Sequence, residues 1–182
     1  MKSKNLESEI EVIANKFIET IPNKEILIIS HFDTDGITSA TILIQTLKKL
    51  DKRFSLKIVK RLEEETIFSL PKEKVIIFLD LASGSLNHLS KANLKDVFII
   101  DHHEIFQEIP DGINIINPHL NDKEEISSSS LVYLFCKQLN GENKDLAKLA
   151  ILGMIGDLME KSIDKLNNLI INDGEVKRKR GL

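Results

Sequence analysis

Tryptophan is absent from this 182-residue chain, tyrosine occurs once, and aromatic residues amount to 5% of it. Surfaces that stack nucleobases depend on such rings and on basic walls, so the chain is poor in that material outside "KRKR" at 177–180. An excess of positive charge is also missing: 25 Lys and Arg face 28 Asp and Glu, a net charge of −3. Strong affinity for a polyanion therefore needs a local patch or a partner. The single cysteine, Cys136, excludes an internal disulfide framework and suits a reducing compartment. In "LVYLFCKQL" it reads as a buried core thiol rather than a nucleophile. No apolar run approaches the ~18 residues of a membrane span. Residues 1–20 mix Lys and Glu with spaced apolar positions, unlike a signal peptide. Together these absences predict a soluble cytoplasmic protein with no membrane role, long enough for one domain with a full core.

What is present is a regular alternation. Leu6, Ile10, Ile13, Phe17 and Ile21 recur every three or four residues, which predicts a helix over 6–21 ended by Pro22-Asn23. "EILIIS" (25–30), "KVIIFLD" (74–80) and "DVFIID" (96–101) are short apolar runs of the kind buried on both faces of a sheet. "SLKIVK" (55–60) alternates, and "GINIIN" (112–117) is shorter. Helices are expected at 37–50, 62–69, 85–93, 128–139, 144–159 and 162–171, with Ser128 or Ser129 as a cap rather than a substrate contact. His88, in the middle of a helix, reads as a surface residue. The implied fold is α/β: a three-layer, Rossmann-like parallel sheet of about five strands flanked by helices. Residues 1–172 form the domain. Asp173-Gly174 begins a basic stretch, 173–182, that reads as a tail, an edge strand or the start of a linker.

Parallel sheets bind ligands outside the carboxyl ends of their strands. At those ends stand His31, Asp33 and Asp35, then Asp80, then Asp101, His102 and His103, then Asn117 and His119. One aspartate at such a place serves as a turn residue or cap, but caps do not explain four of the five histidines lying beside them. Asp157 interrupts the apolar "LGMIGDLM" and would face inward. Either it pairs with Lys161, four residues on, or it coordinates a metal; the other acids favour coordination. Carboxylates and imidazoles without thiolates suit a Mn²⁺-like ion better than structural zinc. His31, Asp33, Asp35, Asp80, His102 and Asp157 are too many ligands for one open site, and two ions sharing a carboxylate would use them. The chemistry such a pair supports is hydrolysis of a phosphate ester or anhydride.

The ordered motifs "HFDTDG" (31–36), a lone Asp80, "DHH" (101–103) and "GMIGD" (153–157) resemble the DHH phosphoesterase family across residues 25–160. "ISHFDTDGITSA" and "LGMIGD" are most similar to its RecJ-like exonucleases, the archaeal ones in particular. The resemblance implies a catalytic DHH domain in which His31 and Asp33 bind one Mn²⁺, Asp35, His102 and Asp157 bind the other, and Asp80 bridges, with Mg²⁺ as a possible substitute. It implies that Asp101 orients the histidine pair and that His103 acts at the scissile phosphate. Asn117 and His119 would contact substrate, and Gly36 would open a helix whose N-terminus faces the anion.

The implied function is Mn²⁺-dependent exonuclease action on single-stranded nucleic acid, 5′ to 3′ on DNA by inheritance from the RecJ-like proteins. Such proteins carry a second, DHH-associated domain that binds substrate. The sequence reaches "VKRKRGL" without one, so a second polypeptide carrying that domain is the expected partner, with a GINS-like replisome component as another. Two alternatives stand beside this: a phosphodiesterase of short oligonucleotides or nucleotides, and a non-enzymatic replisome scaffold, against which the full ligand set speaks.

Overall fold

The computed structural model describes residues 5–121, 125–159 and 165–176. Its centre is a five-stranded, wholly parallel sheet in the order β2-β1-β3-β4-β5. The strands are β1 (Ile26–His31), β2 (Phe54–Val59), β3 (Val75–Leu79), β4 (Asp96–Ile100) and β5 (Ile113–Ile116). Among the described residues seven α-helices accompany them: α1 (Leu6–Thr20), α2 (Thr34–Lys49), α3 (Glu64–Phe68), α4 (Leu86–Lys91), α5 (Ser128–Leu139), α6 (Ala147–Gly156) and α7 (Lys165–Asp173). The α/β three-layer expectation and the five strands therefore hold.

The strand sequences produce the layers directly. Successive residues point to opposite faces, so Ile26 and Ile28 join the core beneath α1, α2, α5 and α6, as do Val75, Ile77 and Leu79. Ile29, Ile76 and Phe78 join a second core beneath α3 and α4. Phe17 of α1 meets Phe98 of β4 edge-on at 5.1 Å and Phe135 of α5 at 5.4 Å, stitching three elements together. Cys136 is fully buried in the larger core, and burial pushes its thiol up to about 12, as a structural rather than a nucleophilic cysteine requires.

Several boundaries differ from the sequence pattern for local reasons. Asp33 caps α2, so that helix starts at Thr34, three residues before its apolar stripe. Ser127, not Ser128 or Ser129, caps α5 by accepting from the Ser130 N–H. The expected helix over 144–159 is a 3-10 turn (Gly141–Leu146) followed by α6, which ends at Gly156. The stretch 62–69 yields only the five residues of α3. Asp173 ends α7 and packs back on the domain, accepting from the Tyr133 hydroxyl at 2.8 Å and from Lys137. The basic residues 177–180 lie outside the described residues, as does Lys161.

Among the described residues no helix is long and apolar enough to cross a membrane. The strand order reverses between β1 and β3, and such a switch point opens a crevice beyond the carboxyl ends of those strands. His31 is the last residue of β1, and Asp80 follows β3.

Candidate metal centre

Each acid of the crevice is placed by a different local device. Asp33 is both cap and wall: its Oδ1 accepts the Gly36 N–H at 3.0 Å while its Oδ2 lies 2.6 Å from His31 Nδ1. Asp35, fully buried in the first turn of α2, accepts the first backbone N–H groups of α5, Ser128 at 2.7 Å and Ser129 at 3.0 Å. A helix N-terminus is thus aimed at a carboxylate. Asp80 sits in the left-handed region at φ +60, followed by Ala82 at φ +94. Backbone held in sparsely populated conformations costs on the order of 1–3 kcal/mol per residue and concentrates at functional sites. Asp157 arrives from the end of α6, where it is the C-cap.

The glycines of "GMIGD" explain how α6 comes close enough. A methyl on Gly153 would collide with Ser129 Oγ and lie 2.5 Å from Asp35 Oδ1 and Thr38 Oγ1. One on Gly156 would lie 2.6 Å from Thr34 Cβ. Gly36 answers a similar need: a Cβ there would stand 2.5 Å from the His31 carbonyl oxygen, so this glycine lets α2 press against the end of β1. Its N–H is taken by Asp33, and it does not itself open the helix.

Ligand atoms from these elements converge. Asp35, Asp80, His102 and Asp157 present one atom each within 4.8 Å of one another, as do His31, Asp33 and Asp80, and also Asp80, His102 and His103. Asp80 is common to all three groups. His102 Nε2 lies 3.2 Å from Asp157 Oδ2 and 3.5 Å from Asp80 Oδ1. Both carboxylate oxygens of Asp80 are buried without a well-formed hydrogen bond, facing His31 Nδ1 at 3.4 Å and His102 Nε2 at 3.5 Å, although buried polar atoms ordinarily have one.

Electrostatics states the same need in another form. Burial, then the charges of Asp35, Asp33 and Asp101, push the Asp80 carboxyl up to about 10. Burial and the charges of Asp35 and Asp33 push Asp157 up to about 7. Burial also lowers the pKa of the His102 imidazole, keeping it a neutral donor. Asp33 moves down despite its burial, because the Gly36 N–H and His31 favour its anion. Without a cation the four carboxylates cannot all be ionised. With one or two among them, the orphaned Asp80 oxygens acquire partners and the raised values of Asp80 and Asp157 are relieved. The donor set therefore fits divalent ions that take oxygen and imidazole ligands.

The remaining expected residues divide. Asp101, fully buried, accepts the Ser83 N–H at 2.9 Å on one oxygen and holds His103 Nδ1 at 2.7 Å with the other. That bond raises the pKa of His103, whose ring stands exposed at the crevice. The aspartate thus orients His103, whereas His102 is oriented by the cluster itself. Asn117 is fully buried and donates to Ser83 Oγ and the His103 carbonyl while accepting the His119 N–H, which makes it a brace beneath the "DHH" turn rather than a wall of the crevice. The His119 Nε2 lies 3.1 Å from the His102 carbonyl oxygen, bracing the same turn.

Three residues bordering the crevice escaped the sequence reading. Lys60, Arg61 and Phe106 line a cavity of about 580 Å³ shared with His31, Asp80 and His103. The signal for the first two was available. "KRFSLKIVKR" (52–61) holds five cations and no acid in an otherwise acidic chain, and as β2 it is an edge of the sheet that runs up to the site.

A parallel α/β domain with acids and imidazoles gathered at its switch point defines a class, that of α/β domains whose crevice residues could hold metal ions. The chain belongs to the DHH family: the model of the DHH family N-terminal domain matches residues 25–156. An uncharacterized protein of Methanocaldococcus jannaschii is 34% identical over 183 residues, covering 93% of this chain and 42% of that protein. The single-stranded-DNA-specific exonuclease RecJ of Bacillus subtilis is 30% identical over 162 residues, 80% of this chain and 21% of that one. The fold matches a crystal structure of exonuclease RecJ bound to manganese with a TM-score of 0.73 at 19% identity, over 96% of this chain and 48% of the other. The chain thus spans less than half of each of these relatives.

Proposed function

We propose that this chain is the catalytic DHH unit of a RecJ-like, Mn²⁺-dependent phosphodiesterase that removes nucleotides from an end of single-stranded nucleic acid, 5′ to 3′ on DNA. The single observation that carries the reading is the convergence on Asp80: three groups of ligand atoms share it, and both its oxygens are buried without a well-formed hydrogen bond. His31 and Asp33 would hold one ion, and Asp35, His102 and Asp157 the other, with Asp80 between them. Bound there, the ions would supply the Lewis acidity that phosphodiester hydrolysis needs at neutral pH.

The chain's own side chains do the rest. The α5 amides fix Asp35, and the N-cap bond fixes Asp33, so the ligands are oriented before any ion arrives. Asp101 pins the Nδ1 of His103 and favours its protonated form, which leaves Nε2 to donate a proton to an oxygen of the phosphate or its leaving group. Lys60 and Arg61 bring positive charge to a cavity whose other charged walls are acids and histidines. A DHH-associated domain, on this chain's continuation or on a second polypeptide, would supply most of the strand affinity. The support is compositional: net charge is −3 and aromatic residues are 5% of the chain.

The test is digestion of an end-labelled strand of about 20 nucleotides beside a dinucleotide, with Mn²⁺, Mg²⁺ or chelator. The expected result is metal-dependent release of mononucleotides from the longer strand, abolished in Asp80→Asn. Cleavage confined to the dinucleotide would move the assignment to short-oligonucleotide phosphodiesterases. Equal rates in Asp80→Asn and the parent would end it.

A further inference from the structure

Eight phenylalanines occur in the chain. Phe17, Phe78, Phe98 and Phe135 are core residues, and Phe32, Phe68 and Phe106 are the exposed ones. Phe106 differs from the other two. It is 82% exposed, against 49% for Phe32 and 47% for Phe68, and it borders the cavity that holds Asp80 and His103. Phe32 already has company, with its ring edge-on to His31 at 4.9 Å and the Lys60 ammonium 6.0 Å from its centroid.

An exposed ring on a floppy loop would mean little, but this loop is fastened beside the ring. The neighbouring Gln107 accepts the Asn87 N–H at 2.8 Å through Oε1 and donates to the Gly84 carbonyl at 3.1 Å through Nε2. One residue thereby ties the segment after "DHH" to the start of α4 and sets Phe106 at the cavity mouth. The cavity, about 580 Å³, falls within the ~300–1,000 Å³ range of small-ligand sites. Its lining is chemically mixed: carboxylates and imidazoles, the cations Lys60 and Arg61, and an apolar part made of Leu62, Leu81 and the Phe106 ring.

We propose that Phe106 is the stacking platform for the nucleobase of the nucleotide at the cleavage site. A ring face offers every base the same surface, so recognition of this kind tells a nucleotide from a bare sugar phosphate without choosing among bases. The occupant is a nucleoside monophosphate unit, with its phosphate towards the acid and histidine side and its base on Phe106. The assignment rests on the nuclease reading for the identity of the substrate, and its measurement is separate.

The experiment is calorimetric binding of a nucleoside 5′-monophosphate and of ribose 5-phosphate to the 182-residue chain with Mn²⁺, in the parent, Phe106→Ala and Phe106→Tyr. The parent should prefer the nucleotide by about tenfold or more, the size of effect that one stacking ring produces. Phe106→Ala should bind the two alike, and Phe106→Tyr should recover the preference. Circular dichroism serves as the control for folding, which an 82% exposed side chain does not govern. A parent that binds the two equally, or binds neither, overturns the platform, as does a preference that survives in Phe106→Ala. Strand cleavage without nucleotide preference leaves the nuclease reading standing and removes this one. Preference without cleavage keeps Phe106 as a nucleobase platform and removes only the nuclease reading.

Discussion

Asp80 concentrates the problem this molecule poses at the scale of one residue. It is 2% exposed, adopts a left-handed backbone conformation, has no hydrogen bond to either oxygen and has its carboxyl pushed up to about 10. A group that costs the fold this much is retained for a purpose other than packing. Replacing it with Asn should raise the melting temperature of the metal-free protein by roughly 2–4 °C for each kcal/mol of repulsion removed. The same change should abolish the gain in melting temperature on adding Mn²⁺, as scanning calorimetry with and without the ion would show. Asp101 makes a contrasting case, because its oxygens are satisfied by Ser83 and His103. Asp101→Asn should keep Mn²⁺ binding and lower strand hydrolysis by roughly 10²–10⁴-fold, the usual worth of a positioned acid or base. The limb of the pH–rate profile set by His103 should also move to lower pH, since its raised pKa comes first from that bond. Unchanged rates would remove His103 from the chemistry.

Helix packing decides how sharply the cluster is drawn at the scale of elements. The contact of α6 with α2 and α5 depends on Gly153, where a methyl would strike Ser129 Oγ, Asp35 Oδ1 and Thr38 Oγ1. Glycine in a helix interior ordinarily costs about 1 kcal/mol relative to alanine, so Gly153→Ala on an open helix would stabilise. Here the sign reverses. Overpacking costs typically 1–3 kcal/mol, and the atom displaced belongs to the proposed centre. Gly153→Ala should therefore lower stability in urea melts by about that amount and weaken Mn²⁺ affinity, whereas Gly84→Ala, with nothing near its Cβ, should change neither. The same close approach leaves Leu152 and Ile155 of α6 half-exposed. The glycines turn the opposite side of the helix inward.

Charge balance governs the pH response of the whole molecule. Asp157, raised to about 7, and Asp80, raised to about 10, contribute stability that is complete below the ordinary carboxylate value of about 3.9. That contribution is lost as pH rises through their folded-state values. Asp33, Asp101 and Asp173 are lowered, so their contribution is present above about 3.9 and lost as pH falls further. Chelated protein should consequently be most stable in mild acid and lose stability between pH 5 and 8, where folded Asp80 and, up to about pH 7, Asp157 retain protons that the unfolded chain has released. Saturating Mn²⁺ should flatten or invert that slope. Melting curves across this range with chelator and with Mn²⁺ would decide, and a chelated protein more stable at pH 8 than at pH 5.5 would contradict the charge crowding described here.

Sequence pattern alone reached the layered parallel sheet, because buried strands must be apolar on both faces and "EILIIS", "KVIIFLD" and "DVFIID" have few other uses. It also gathered His31, Asp33, Asp35, Asp80 and His102 into one group, since strand ends in such a sheet face a common crevice, and added Asp157 as an acid interrupting an apolar helix. Tertiary structure decided matters that depend on contacts between distant segments. The N–H groups of Ser128 and Ser129 hold Asp35 from 93 and 94 residues away. Asn117 turned inward as a brace, and Phe106 turned outward to the cavity. Periodicity records which way a side chain points from its own element, but carries no record of what another element brings to meet it.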